Sequence, residues 1–207
     1  MIHELIQSFR HRRVIQYFIA KEIKVNYRNK VLGNLWALFD PLLMMLVLFF
    51  VFSILRQQST VLDSLYILAG LVGWDLFAKS LATSALCIQK YQYIIHKFPL
   101  PMSVFPLATV LYRLNDLIWG LAAYSLLYVL LCSFNGIAMV FSWKIILLPV
   151  WVLAYMMLIL GISFILSRLG ALFHDMEHIT NILLRMGFFL NPVFIPISLL
   201  AENQSLQ

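Results

Sequence analysis

Charge is scarce in this chain. Asp, Glu, Lys and Arg together make up 12% of 207 residues, where an ordinary soluble domain carries roughly 25%. A surface so poor in charge cannot clothe a water-soluble fold of this size. No polar linker sets off a second domain. Cysteine is limited to Cys87 and Cys132, which stand alone and read as buried, apolar-like residues rather than a disulfide or metal cluster. None of the eight glycines opens a G-x-x-x-x-G-K-[ST] loop, so this chain does not cradle nucleotide phosphates in that way. The H-E-x-x-H pattern is also missing. The apolar runs lack the period-two alternation of barrel strands.

What is present is greasy sequence of great length. Hydrophobic residues reach 62%, and the mean hydropathy is +0.89. Ile145–Ser167 holds 23 residues without one Asp, Glu, Lys or Arg. At about 1.5 Å per residue, roughly 20 helical residues cover a hydrocarbon core of about 30 Å. Four further stretches carry at most two charges each. Lipid offers no partner to backbone polar groups, so the spans must be helices. The expectation is an all-α integral membrane bundle of about five spans, near 35–55, 64–88, 106–133, 145–167 and 179–200. Residues 1–30 form a basic cytoplasmic segment, and 31–207 the membrane domain. Asp40-Pro41 punctuates the start of the first span. Asn191-Pro192 and Pro196 break the last, so its helix should stop near Asn191.

The formal charge of +6 is unevenly placed. Arg10, Arg12, Arg13, Lys21, Lys24, Arg28 and Lys30 all precede residue 31. Basic residues beside a first span hold that end in the cytoplasm and attract anionic headgroups, which argues against nucleic acid as a partner. Lys90, Lys97 and Arg168 fall on the same side when the spans alternate; Arg56 and Lys144 fall outside. Residues 13–28 read as an amphipathic helix, with Arg13, Lys21, Lys24 and Arg28 beside Tyr17 on one face. Val14, Ile15, Phe18, Ile19, Ile23 and Val25 form the other. Such a helix lies in the membrane interface, or packs on the bundle with a solvated basic face.

Five intramembrane polar residues stand out. Asp75 and Lys79 are spaced i, i+4 with the acid first, the favourable order for a helical ion pair. Arg113 and Asp116 are spaced i, i+3 near the cytoplasmic start of the third span, where long side chains snorkel. Arg185 lies in the fifth segment. Trp36, Trp74, Trp119, Trp143 and Trp151 suit interfacial anchoring, although aromatic faces also stack on sugar rings. His174, Asp175, Glu177 and His178 imitate a metal or acid–base site, but their short loop reads as a solvated turn.

The order of several segments resembles the permease subunit of type-2 ABC exporters, in the branch that exports polysaccharide (O-antigen, capsule, teichoic acid). These segments are Ala20–Arg28, Val31–Leu38 with Asp40-Pro41, Leu68–Leu71 with Trp74, Ile94–Pro99, Phe173-His174-Asp175 and Asn191–Pro196. The resemblance implies a homodimeric pore clasping two separate ATPase subunits, which hold ATP and Mg²⁺; this chain itself holds no cofactor or metal. It implies a multi-pass protein of a bacterial cytoplasmic membrane, its N-terminus inside, that passes a lipid-linked glycan outward. Lys21, Lys24 and Arg28, the loop residues Tyr93, Ile94, His96, Lys97 and Phe98, and His174 with Asp175 would then meet the ATPase. Asn191, Pro192 and Pro196 would mark the pore or gate. Leu100-Pro101 stand where relatives carry a basic-acidic pair, and His174 stands where they carry Arg. A sixth span, general in relatives, is not found before Gln207. Two other readings stay open: a type-2 permease for a small hydrophobic drug or lipid, and an integral-membrane enzyme of glycan or lipid metabolism.

Overall fold

A computed structural model of the chain describes residues 12–27, 32–56, 61–98, 100–135 and 143–191. Eight α-helices follow in order among them: α1 Arg12–Tyr27, α2 Trp36–Arg56, α3 Val61–Lys90, α4 Gln92–Lys97, α5 Val104–Tyr112, α6 Leu114–Asn135, α7 Leu148–Leu172 and α8 Met176–Phe189. Four segments among the described residues are long and apolar enough to cross a membrane: Gly33–Ile54, Asp63–Lys90, Val104–Phe134 and Ile145–Leu172.

Much of the apolar surface faces outward. Leu46, Phe50 and Ile54 on α2 are 61%, 64% and 62% exposed, as are Val150, Leu153 and Met157 on α7 to a similar degree. In water, patches this extensive would drive aggregation; against acyl chains they are at home.

α3 and α7 form the central pair and run parallel. Tyr155 Oη donates to the Gly73 carbonyl at 3.1 Å, and fifteen residues further on Gly170 meets Ala85. Gly170 makes that approach feasible, because a Cβ there would lie 1.8 Å from the Ala85 carbonyl oxygen. Leu68, Leu71, Leu76, Val110, Met156 and Ile159 build the core around this pair.

Three of the expected segments carry detail that the sequence did not show. The third span is found over Val104–Phe134, close to the expected bounds, with a turn at Arg113 that leaves α5 and α6 as separate helices. Every residue of α5 from Val104 to Val110 is buried, as befits a helix that is apolar all round. α6 alone has 22 residues, about 33 Å at the helical rise, and suffices to cross. The first span begins near residue 35, as expected, with Asp40-Pro41 inside it. α2 starts at Trp36, after a 3₁₀ turn over Gly33–Leu35 in which Gly33 takes φ 51°. Pro41 lies inside α2, where its missing N–H deprives the Ala37 carbonyl of its helical donor. Finally, α8, which enters the fifth segment, has 14 residues and stops at Phe189, close to the expected Asn191. That length, about 21 Å, falls short of a bilayer. Pro192 and Pro196, and the remainder of the expected 179–200 span, lie outside the described residues.

The amphipathic helix forms where expected. Ile15 and Phe18 are buried, and the Phe18 ring meets Tyr91 at 4.9 Å and Phe105 at 5.3 Å, edge on in both cases. α1 therefore packs on the bundle, with Arg12, Arg13 and Lys24 exposed. Val25, assigned to the apolar face, is 61% exposed.

Candidate functional site

One end of the bundle gathers segments far apart in sequence. Gln89 Nε2, at the end of α3, donates to the Gly170 carbonyl near the end of α7. Directly beyond these two points, α4 leaves α3 and the 173–175 turn leaves α7. α1 is drawn to the same end by Glu22. Its carboxylate accepts from Lys90 Nζ at 2.7 Å and from the Tyr91 hydroxyl. Burial pushes the Glu22 carboxyl up, but those two donors and the Lys21 charge outweigh it and hold the group below its ordinary value. The Tyr91 hydroxyl moves the other way, raised by burial and by the carboxylate it serves.

The loop and turn residues expected to meet an ATPase divide by exposure. Tyr93 and Phe98 are 70% and 59% exposed, and His96, Lys97, His174 and Asp175 are exposed with them. Lys97 Nζ donates to the Tyr93 hydroxyl and stands 4.1 Å from the ring centroid. His96 Nδ1 lies 2.8 Å from the Gln92 carbonyl. Ile94 turns inward to the cluster beneath α1. Of the α1 residues, Lys24 faces out, whereas Lys21 lies over the Tyr91 ring at 4.9 Å. Arg28 is outside the described residues.

Above this end sits a charged cleft of about 150 Å³. α6 closes against α3 at Gly120, where a Cβ would stand 2.7 Å from a Val72 methyl. The two ion pairs foreseen in the sequence both line the cleft: Lys79 to Asp75 at 2.6 Å, and Arg113 to Asp116 at 2.8 Å. Asp40, from α2, joins them. Arg113 and Asp116 do not snorkel outward, as expected, but are 13% and 15% exposed within the cleft. Asn26 Nδ2 reaches the Tyr112 hydroxyl at 3.2 Å and so closes the cleft toward α1.

Asp75 and Lys79 also form the wall of a second, open groove of about 550 Å³ between α3 and α8. Trp74, Phe188 and Phe189 give it aromatic surface, and Arg185 gives it a cation. Trp74 and Phe188 are tilted neighbours at 6.2 Å. Asn191, half-buried, follows the end of α8.

An arrangement of this kind has helices to cross lipid, charges paired inside them and exposed elements at one end, which suits movement of cargo. The ABC-2 type transporter family matches the chain over residues 13–206. The chain belongs to that family. It is similar to an O-antigen export system permease protein of Myxococcus xanthus, 27% identical over 205 residues that cover 99% of this chain and 76% of the relative. A protein of the same description from Klebsiella pneumoniae is 28% identical over 89% of this chain and 70% of its own length. The polysialic acid transport protein KpsM of Escherichia coli is 24% identical over 88% and 70%.

In this ABC-2 chain, the residue that sequence reasoning missed is Glu22. It is the one acid in α1 and stands in register with Ile15 and Phe18 on the buried face. An acid placed among apolar residues at helical spacing signals a partner elsewhere. Lys90 and Tyr91 could not be named from spacing, because they lie 68 and 69 residues away.

Proposed function

We propose that this chain is the membrane-spanning subunit of an ATP-driven exporter that carries a lipid-linked polysaccharide outward across a bacterial cytoplasmic membrane. Two copies would form the conduit, with the N-terminus inside. ATP and Mg²⁺ belong to a separate ATPase in this reading, in keeping with the lack of a P-loop motif here.

The observation that carries the reading is the convergence of α1, α4 and the 173–175 turn at one end, joined through Glu22–Lys90 and Gln89–Gly170. A motor pressing on exposed Tyr93 and Phe98 would move the ends of α3 and α1 together. The polysaccharide cargo follows from the relatives, which are named for export of O-antigen and transport of polysialic acid. The mixed aromatic and polar lining of the groove suits a sugar better than a purely aliphatic cargo does.

The test is export in cells carrying this permease with its neighbouring ATPase. Surface glycan should vanish when the permease is deleted and return with the wild-type gene. Changing Tyr93 and Phe98 together to Ala should abolish co-purification of the ATPase while leaving the permease folded. Surface glycan unaffected by deletion, or ATP hydrolysis by the purified chain alone, would overturn the reading.

A further inference from the structure

We infer that the half of the α3–α7 interface nearest Gly170 is a sliding seam, along which α7 shears against α3 while the other half stays fixed at Tyr155 and Gly73. The inference rests on the export reading above for the force that drives the motion. The two halves of this parallel pair are built differently. Around Tyr155, which is bonded to Gly73, large rings interlock: Phe77 stacks on it at 6.3 Å and Trp151 at 5.0 Å. Beyond Ile159 the side chains become small. α3 brings Ser80, Ser84 and Ala85, the serines following Gly73 and Phe77 at helical spacing. α7 brings Ser163, Ser167 and Gly170, and Gly170 lies against Ala85. Interpolation between the Tyr155–Gly73 and Gly170–Ala85 contacts sets Ser80 nearly level with Ser163, and Ser84 with Ser167. Small residues let two helices approach closely and leave few knobs to climb over when one moves along the other.

The hydroxyls of this seam show that its present arrangement is not at rest. Thr83, Thr109, Ser125 and Ser167 each donate to a carbonyl three or four residues earlier in their own helix. Ser80, Ser84 and Ser163 do not. All three are fully buried, and among the described residues their hydroxyls have no partner. A buried hydroxyl without a partner raises the energy of whatever arrangement leaves it so. Three of them at one interface favour a shifted arrangement, in which they pair across the helices or meet water. Packed helices move between discrete positions by small sliding steps of this kind. The seam also lies where a motor would act. α4 and the 173–175 turn leave α3 and α7 directly beyond it, and the bond from Gln89 to the Gly170 carbonyl latches that end. Pressure on the two exposed elements would strain the latch first and the serine seam next, while the rings around Tyr155 hold.

The experiment changes Ser80, Ser84 and Ser163 together to Ala in the full chain. Loss of the unpaired hydroxyls should raise the unfolding temperature by about 2–4 °C per site. Ser167→Ala removes a bonded hydroxyl from the same seam and should leave that temperature unchanged or lower it. In cells, the triple variant should cut surface glycan roughly fivefold or more, because the present arrangement is then favoured over the shifted one. Spin labels at Gln92→Cys and Leu172→Cys, both exposed positions, report the seam without cargo or ATPase, in a chain that also carries Cys87→Ala and Cys132→Ala. The labelled parent should show two distances and the triple variant one. A temperature that fails to rise, or rises equally with Ser167→Ala, would mean that the hydroxyls are not strained. Unchanged export in the triple variant, or one and the same label distance in both proteins, would mean a rigid interface. Any of these overturns the seam. Two label distances in a wild-type chain that exports no glycan would sink the export reading instead, so the two failures are separable.

Discussion

Lys90 Nζ stands 2.7 Å from Glu22 Oε1, tying the last residue of α3 to the middle of α1. The Tyr91 hydroxyl donates to the same oxygen, and the Phe18 ring and the Lys21 ammonium cover Tyr91 from the α1 side. The interface helix, the end of a membrane span and the start of α4 thus meet at one carboxylate.

Replacing Glu22 with Ala should lower stability by about 1–3 kcal/mol, because a buried Tyr91 hydroxyl loses its acceptor. Lys90 is 53% exposed and can turn to water, so its own share is small. Glu22→Gln keeps an acceptor and should cost less. Unfolding temperatures in detergent, followed by intrinsic fluorescence, give both values; equal stability of all three proteins would refute the role given to this contact.

The same carboxylate sets a pH dependence. Its folded value is below the ordinary one, because Lys90, Tyr91 and Lys21 together outweigh the effect of burial. A carboxyl lowered by folding contributes stability above its unfolded pKa of about 4.3 and loses that contribution as pH falls through the lower folded value. The stability difference between wild type and Glu22→Gln should stay constant from about pH 8 to about pH 5 and shrink only in the acid range below. A difference that shrinks between neutrality and pH 6 would mean a carboxyl raised by burial instead.

Asp75 and Lys79 invite a double-mutant cycle with Asp75→Asn and Lys79→Met. Their side chains are 37% and 40% exposed, so water in the cleft and groove screens them. The expected coupling is about 0.5–1 kcal/mol, well short of the 3–5 kcal/mol lost on breaking a dry pair. Unfolding midpoints of the four proteins supply the cycle. Coupling near zero would show that the pair only happens to be close.

Two glycines of α7 should behave oppositely. Gly170→Ala drives a Cβ to 1.8 Å from the Ala85 carbonyl oxygen, which forces α3 and α7 apart. The expected loss is about 3 kcal/mol or more, visible as poor yield of folded protein. Gly161→Ala meets nothing within 4 Å and should raise stability by about 0.5–1 kcal/mol through helix propensity. Equal effects at the two positions would refute the close packing at Gly170.

Much of this molecule was legible in one dimension. The transmembrane stretches announced themselves through uninterrupted apolar length, because lipid leaves a backbone no alternative to the helix. The Asp75–Lys79 and Arg113–Asp116 pairs were legible for the same local reason: residues three or four apart share a helix face whatever surrounds them. Tertiary structure alone joined these two pairs with Asp40 in one cleft, set Glu22 against Lys90, broke the third span at Arg113 and laid α8 on Trp74 at Gly187. Each depends on how side-chain volumes from separate helices fit, which no periodicity along a single helix encodes.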